Sequence, residues 1–249
     1  MSMIPQSLNA RSLRGAPGGT ARALERHART FKNARRDLNG VSAALERRVL
    51  TWLAERTPAR INSDHLTVLG ALAMLLAGAS YALARWNRAG FMLATLFLAL
   101  NWLGDSLDGT LARVRNLERP RYGFYVDHML DAFGTTFLMG GLALSGYLDW
   151  RVAVGMLVGF LMLAIEVYLS TYTLGVFRLS FWKFGPTEVR VLLAVANVTL
   201  WLKPGTKVAR TPFRLLDFGG CVAIAGMAVM LVVATTLHIV RLYREETLP

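Results

Sequence analysis

Charge is scarce in this 249-residue chain, where Asp, Glu, Lys and Arg make up 18% of residues, and cysteine occurs once, at Cys221. A single cysteine excludes an intrachain disulfide and any metal centre built on cysteines. So low a charged fraction, beside 54% hydrophobic residues, lies outside the ~25% charged and ~45–50% apolar usage of soluble domains. It argues against a soluble enzyme. Acids are the scarcer sign, 16 against 28 Lys and Arg, and the formal net charge is +12. A chain this basic ordinarily points to nucleic acid or to an anionic membrane. The distribution of charge decides between them. Residues 1–60 hold 12 Lys and Arg against 4 Asp and Glu, and the other 189 residues hold 16 against 12. This is a basic head on a nearly apolar body, which excludes a nucleic-acid domain with basic residues along one face throughout. Residues 1–40 are rich in Arg, Gly, Ala and Ser and lack an apolar h-region. They are therefore not a secretory signal, and they read as a disordered basic segment, with a transit peptide as the alternative.

Residues 66–84 form a run of 19 without a charge, and about 20 apolar residues cross a bilayer core. Further apolar runs cover Gly90 to Asp105, Ala132–Leu148, Val152–Phe177 (interrupted by Glu166), Val189–Leu202 and Phe218–Val240. The expected fold is all-α: a polytopic membrane protein with six transmembrane helices over residues 63–245 and a short tail, 246–249. The third span reaches full length only if its helix begins before Ala132 and includes the acidic stretch there. Residues 41–62 are expected to be an amphipathic interfacial helix and the loop leading to the first span. In 41–56, Leu45, Val49, Trp52 and Leu53 share one face, and Glu46, Arg47, Arg48, Glu55 and Arg56 take the other. Such a helix lies on an anionic lipid surface. With six spans, 13 basic residues fall on the side of the termini and seven on the other. The positive-inside rule then places both termini and the acidic stretch in the cytoplasm, although the basic 203–214 loop dissents.

The chemistry is concentrated in residues 104–134. Asp105, Asp108, Gly109, Ala112 and Arg113 stand at i, i+3, i+4, i+7 and i+8, and Gly123, Asp127 and Asp131 at i, i+4 and i+8. Each set shares one helical face. Pro120 breaks the helix between them, so two neighbouring helices joined by a basic turn each present two carboxylates near one membrane surface. A charge at a span's centre costs roughly 2.5–3.5 kcal/mol on insertion scales, and four aspartates also repel one another. Two divalent cations would neutralise them, and oxygen-only ligation suits Mg²⁺ or Mn²⁺. Two such ions ~3.5–4 Å apart clamp an in-line displacement at phosphorus. Arg113 is a natural phosphate partner on the same face. Gly109, Ala112 and Gly123 lack bulk, which lets a ligand or another helix approach the backbone.

The pattern D-x-x-D-G-x-x-A-R…G-x-x-x-D-x-x-x-D, with all eight positions filled, resembles the signature of the CDP-alcohol phosphatidyltransferases. Nine residues separate Arg113 from Gly123, a turn longer than the family's usual one. Residues 63–67, SDHLT, resemble the segment that leads into the family's first span, with Ser63 and Asp64 in place of Pro and Asn. The resemblance implies six membrane helices around a polar cavity open to the cytoplasm, and a homodimer. It implies transfer of a substituted phosphate from a CDP-linked donor, CDP-diacylglycerol, to a small polar or lipid acceptor alcohol, with release of CMP. It makes Asp105, Asp108 and Asp127 metal ligands and Asp131 a further ligand or the general base. Gly109, Ala112, Arg113 and Gly123 would contact the CDP moiety. A bacterial inner membrane is the expected location, and no nucleic-acid partner is expected.

Outside the signature, Glu166 is a mid-span acid, and Glu188 and Arg190 open the fifth span. All three are candidates for acceptor binding, and a Glu166–Arg190 ion pair is the competing reading. Arg115, Arg119 and Arg121 either attract anionic groups or anchor the cytoplasmic side. His128 reads as a helix-surface residue. Two other functions fit an Asp-rich membrane protein: an intramembrane prenyltransferase acting on a prenyl diphosphate, and a non-catalytic metal-binding scaffold or transporter. Both signature halves lie within 27 residues, which counts against the first. The absence of a visible inverted repeat counts against a transporter.

Overall fold

The computed structural model describes residues 43–174, 186–207 and 214–246. The basic segment 1–40 and the tail 247–249 lie outside them, as does the end of the 152–177 run. Among the described residues the fold is helical, with an isolated bridge between Lys207 and Arg214. The helices are α1 (Ala43–Arg56), α2 (Ser63–Leu83), α3 (Ala89–Val114), α4 (Pro120–Ser145), α5 (Trp150–Leu174), α6 (Pro186–Leu202) and α7 (Leu215–Glu245).

Each of the six apolar runs became one helix after α1. The third does start well before Ala132, at Pro120, so the acidic stretch is helical. Its start follows from the sequence. Asn116 adopts a left-handed backbone, φ 55°, just past the end of α3. Pro120 then occupies the first helical position, where its missing N–H costs nothing. Gly146, φ 77°, closes α4, the left-handed position that glycine takes without strain. Four helices are long and apolar enough to cross a membrane: α2, α3, α5 and α7. This is the pattern of an integral membrane protein. Helix α4, whose first half carries Arg121, Asp127 and Asp131, and α6, with 17 residues, fall outside that group, so the expectation of six spans is met only in part.

Helix α2 is the hub. It packs most heavily on α3 and then on α4, whereas α3 and α4 scarcely touch one another. This corrects the expectation that the two signature helices are direct neighbours. Small residues make the two crossings possible. A Cβ added to Gly141 would lie 2.0 Å from the Gly78 carbonyl oxygen, and one on Gly104 would lie 2.7 Å from the Leu66 carbonyl oxygen. Both pairs of helices meet backbone to backbone, as close membrane crossings require. The main core lies toward the end of the bundle remote from the α3–α4 turn, around Tyr81, Phe91, Leu98, Leu138 and Leu142. There Phe91 packs edge-on to Tyr81 and Tyr147, with ring centroids 6.4 and 4.9 Å apart. The start of α7 is anchored at this same remote end. Arg214 donates to the Gly146 carbonyl, and Asp217 accepts the Asp149 N–H at 2.7 Å.

Helix α1 forms where expected, and a second edge of it meets the protein. Leu50 and Ala54 are buried against Leu66, Leu107 and Leu111, and Trp102 Nε1 donates to Glu46 at 3.1 Å. Val49 and Trp52, assigned to the apolar face, are exposed along with Arg47 and Arg48. The helix has two apolar edges, one packed on α3 and one outward. Arg115 ties down the following loop, donating to the carbonyls of Ile61, Thr57 and Pro58 at 2.6, 2.9 and 3.1 Å. Arg119 pairs with Asp64 and stacks on Tyr122. Two of the three arginines of the turn thus have structural partners within the chain.

Candidate active site

One cleft gathers the signature acids. Asp105 and Asp108 from α3 and Asp127 and Asp131 from α4 line it together with Thr67, Gly70, Ala71 and Met74 of α2 and Asn101 of α3. The helical spacing accounts for which residues meet. Asn101, Asp105 and Asp108 follow one another at i, i+4 and i+7 on α3, and Asp127 and Asp131 at i and i+4 on α4. Because α2 lies between those helices, its Thr67–Met74 face forms the floor, which no spacing rule within the signature reveals. Gly70 of that floor lies against α3, where an added Cβ would stand in ordinary contact, 3.5 Å from the Asp105 backbone nitrogen.

The four acids are not equivalent. Asp108 is buried, with 7% of its surface exposed, while Asp131 is exposed and Asp105 and Asp127 are half-buried. Burial of a carboxylate demands partners, and Asp108 has them. Thr67 Oγ1 donates to its Oδ2 at 2.8 Å, the Gly109 N–H donates to Oδ1, and Ser63 Oγ donates to its backbone carbonyl at 2.9 Å. The SDHLT segment therefore works as a clamp on the second signature aspartate. Asp127 and Asp105 are both close enough to Asp108 for their charges to act on it. Asp105 is approached from α6. Arg190 Nη2 lies 3.3 Å from its Oδ2 and 2.8 Å from Asn101 Oδ1.

The small signature residues stand toward the α3–α4 turn, beyond the acids. A Cβ on Gly123 would meet nothing within 4 Å, and one on Gly109 would meet only the Arg113 side chain, at 3.8 Å. Neither glycine serves a helix crossing, unlike Gly78, Gly104 and Gly141. Arg113 is exposed at the end of α3, where it donates to Thr110 Oγ1 at 3.1 Å.

Other candidates lie elsewhere. Glu166 does not pair with Arg190. It contacts His238 Nδ1 of α7 at 2.5 Å and does not line the cleft. The alternative ion pair is thereby overturned: Arg190, on α6, meets α3, and Glu166, on α5, meets α7. Glu188 is half-buried in the first turn of α6 and does not line the cleft either. His128 is not a surface residue. It packs between the rings of Phe124 and Tyr168, at 4.1 and 5.0 Å. Thr67, Asn101 and the α2 floor had been given no role from sequence. A lone asparagine one helical turn before Asp105 in an apolar run was the available signal.

The donor chemistry of the cleft fits a hard divalent cation, because every polar group lining it presents oxygen or an amide. The carboxylates stand apart: among the described residues no group of three or more His, Cys, Asp or Glu is gathered closely enough to hold a metal ion.

A helical membrane protein with four acids from two helices in one cleft belongs to the class that handles charged groups at a bilayer surface. The particular family follows from the sequence match. Residues 61–240 match the CDP-alcohol phosphatidyltransferase family, and the chain belongs to it. No curated protein matches the chain. Family membership makes this protein a transferase of phospholipid synthesis that moves a phosphate group from a CDP-alcohol to an alcohol acceptor. Members of the family generally depend on a divalent metal.

Proposed function

We propose that the protein transfers a phosphatidyl group from CDP-diacylglycerol to a polar acceptor alcohol, releasing CMP, at the cleft between α3 and α4. The observation that carries this reading is the convergence of Asp105, Asp108, Asp127 and Asp131 on a single cleft. Mg²⁺ or Mn²⁺ ions, held by Asp105, Asp108 and Asp127 with Asp131 as an optional fourth ligand, would offset the charge of the donor diphosphate as it develops. Thr67 and the Gly109 N–H orient the Asp108 carboxylate, the kind of outer support that fixes a ligand's geometry. Gly109, Ala112, Arg113 and Gly123 receive the CDP moiety, and the open space beside Gly109 and Gly123 supports that role. Asp131, the exposed acid, takes the acceptor hydroxyl proton. The acceptor oxygen then bonds to the phosphorus that carries the lipid, and the bond from that phosphorus to the CMP oxygen breaks. Arg190, beside Asp105, meets the acceptor, and Glu166 and Glu188 are the weaker candidates for that role.

In this reading α4 and α6 also cross the bilayer, with outward apolar side chains such as Phe133, Phe137, Val191 and Val195 facing lipid. Residues 63–245 form the catalytic domain, and the exposed Trp52–Arg48 edge of α1 rests on anionic lipid. Both termini and the cleft face the cytoplasm, in a bacterial inner membrane, and two copies associate. Seven basic residues, those of the 203–214 loop among them, fall on the opposite side, and the start of α7 is anchored at the end of the bundle remote from the cleft.

The test is CMP release by purified protein from CDP-diacylglycerol with Mg²⁺ or Mn²⁺ across a panel of alcohols. The panel comprises serine, glycerol 3-phosphate, inositol 1-phosphate, ethanolamine and a diacylglycerol-type lipid, and mass spectrometry identifies the product. Metal-dependent CMP release with at least one of them is expected. Turnover of none, in protein shown to be folded, would refute the reading.

A further inference from the structure

Asn101 belongs to no signature position, yet it is the polar residue that joins three helices. Its amide is held at both ends. Nδ2 donates to the Gly70 carbonyl of α2 at 3.0 Å, and Oδ1 accepts from Arg190 Nη2 of α6 at 2.8 Å. These partners fix the orientation of the amide, because a flipped one would set donor against donor and acceptor against acceptor. The bond to Gly70 exists only because α2 and α3 cross backbone to backbone at Gly104. The bond to Arg190 is the better of that guanidinium's two contacts, since its distance to Asp105 Oδ2 is 3.3 Å.

That ordering has a chemical consequence. An arginine beside a cleft of four carboxylates would be drawn wholly onto the nearest one. A neutral carbonyl oxygen holds the guanidinium short of this without cancelling its charge. Both contacts engage the same nitrogen, Nη2, and a guanidinium has five N–H donors. The N–H groups of Nε and Nη1 take part in neither contact and can each donate to a phosphate oxygen. The Arg190 side chain is only 17% exposed, so its charge is little screened by water.

We propose that Asn101 is a positioning residue that holds Arg190 at the cleft to receive a phosphate group on the acceptor alcohol. The proposal rests on the reading of the cleft as the transfer site and adds the acceptor's chemical class: an alcohol that already carries a phosphate.

The experiment uses the full chain in zwitterionic lipid nanodiscs, with inorganic phosphate as probe. Phosphate affinity is read by phosphorus NMR in the presence of Mg²⁺, and Mn²⁺ affinity separately by electron paramagnetic resonance. Arg190→Gln should weaken phosphate binding at least tenfold. Asn101→Ala should weaken it about tenfold, the low end for loss of one charge-assisted bond. The double variant should be no worse than Arg190→Gln alone, because Asn101 acts through Arg190. Mn²⁺ affinity should not fall in any of the variants, which also reports an intact site. Unchanged phosphate binding in Asn101→Ala, an additive double variant, or a parallel loss of Mn²⁺ affinity would each overturn the proposal. Nanodiscs containing an anionic phospholipid separate the sources of phosphate. Binding unaffected by that lipid supports a soluble acceptor, and displacement by it would assign Arg190 to a headgroup and overturn the acceptor assignment. CMP release is scored on the same samples. Release without Arg190-dependent phosphate binding defeats this inference alone, whereas phosphate binding without release defeats the transfer reading.

Discussion

Helices α2 and α3 bury 39% of their apolar windows inside the protein, whereas α5 and α7 bury 11% of theirs. All four are long enough to cross a bilayer, and the two buried helices are the less apolar, with mean hydropathy 1.9 and 1.3 against 2.3 and 2.2. The difference lies in what each helix has to hold. Helices α2, α3 and α4 meet through glycine crossings, and from them come the carboxylates, the floor and the Thr67 clamp of the cleft. Helices α5 and α7 pack chiefly on each other, and Val154, Val158, Leu169, Val229, Val232 and Leu237 face outward. In lipid an outward apolar side chain has no reason to be buried, so close packing arises only where specific contacts require it. The tight half of the molecule is the half with polar work to do.

Six substitutions test that contrast, beginning with the largest effect. Asp108→Asn and Asp131→Asn should each lower CMP release by roughly a thousandfold or more, combining lost charge stabilisation with lost proton transfer. Circular dichroism and thermal melting should stay near wild type. Retained turnover in both would remove these acids from the chemistry.

The crossings come next. Gly141→Ala forces a Cβ to within 2.0 Å of the Gly78 carbonyl oxygen and should destabilise the protein by about 1–3 kcal/mol, the usual cost of overpacking. Gly226→Ala on α7, where nothing lies within 4 Å, should leave the melting temperature unchanged or slightly raised. Equal melting of the two variants in detergent would erase the distinction between the two halves.

Thr67→Val deletes the hydroxyl that donates to Asp108 and keeps the side chain's shape. A hydrogen bond to a charged group contributes about 1.5–3 kcal/mol, so CMP release should fall at least tenfold with little change in melting. Full activity would mean that the clamp has no part in orienting Asp108. The smallest effect is expected in the loose half. Glu166→Gln preserves a hydrogen bond to His238 and should cost about 0.6 kcal/mol, the average for interhelical polar contacts in a membrane protein. CMP release should stay within twofold, and a larger loss would restore Glu166 to the acceptor site.

Much of the site was legible because its information is local. The spacing of Asp105, Asp108, Asp127 and Asp131 along two helices specifies which faces carry charge, whatever those helices later pack against. Pro120 and the helix that had to start before Ala132 were legible for the same reason. The partners of Arg190 were not, because they stand 85 and 89 residues away and helical spacing carries no information over that range. The edge of α1 that packs on the protein was not legible, because Leu50 and Ala54 stand beside the periodic Val49 and Trp52. Only the position of α3 decides which edge is covered.

The sequence by itself determined the membrane class, the helices and the four-aspartate signature. Hydrophobic run length and helical periodicity act within a segment, and both can be read without knowing the neighbours. The tertiary structure alone decided that α2 separates the signature helices, that Thr67 clamps Asp108, and that Arg190 meets Asn101 and Asp105 while Glu166 meets His238. Those outcomes depend on which glycines meet backbone to backbone, and a crossing is a property of two helices at once.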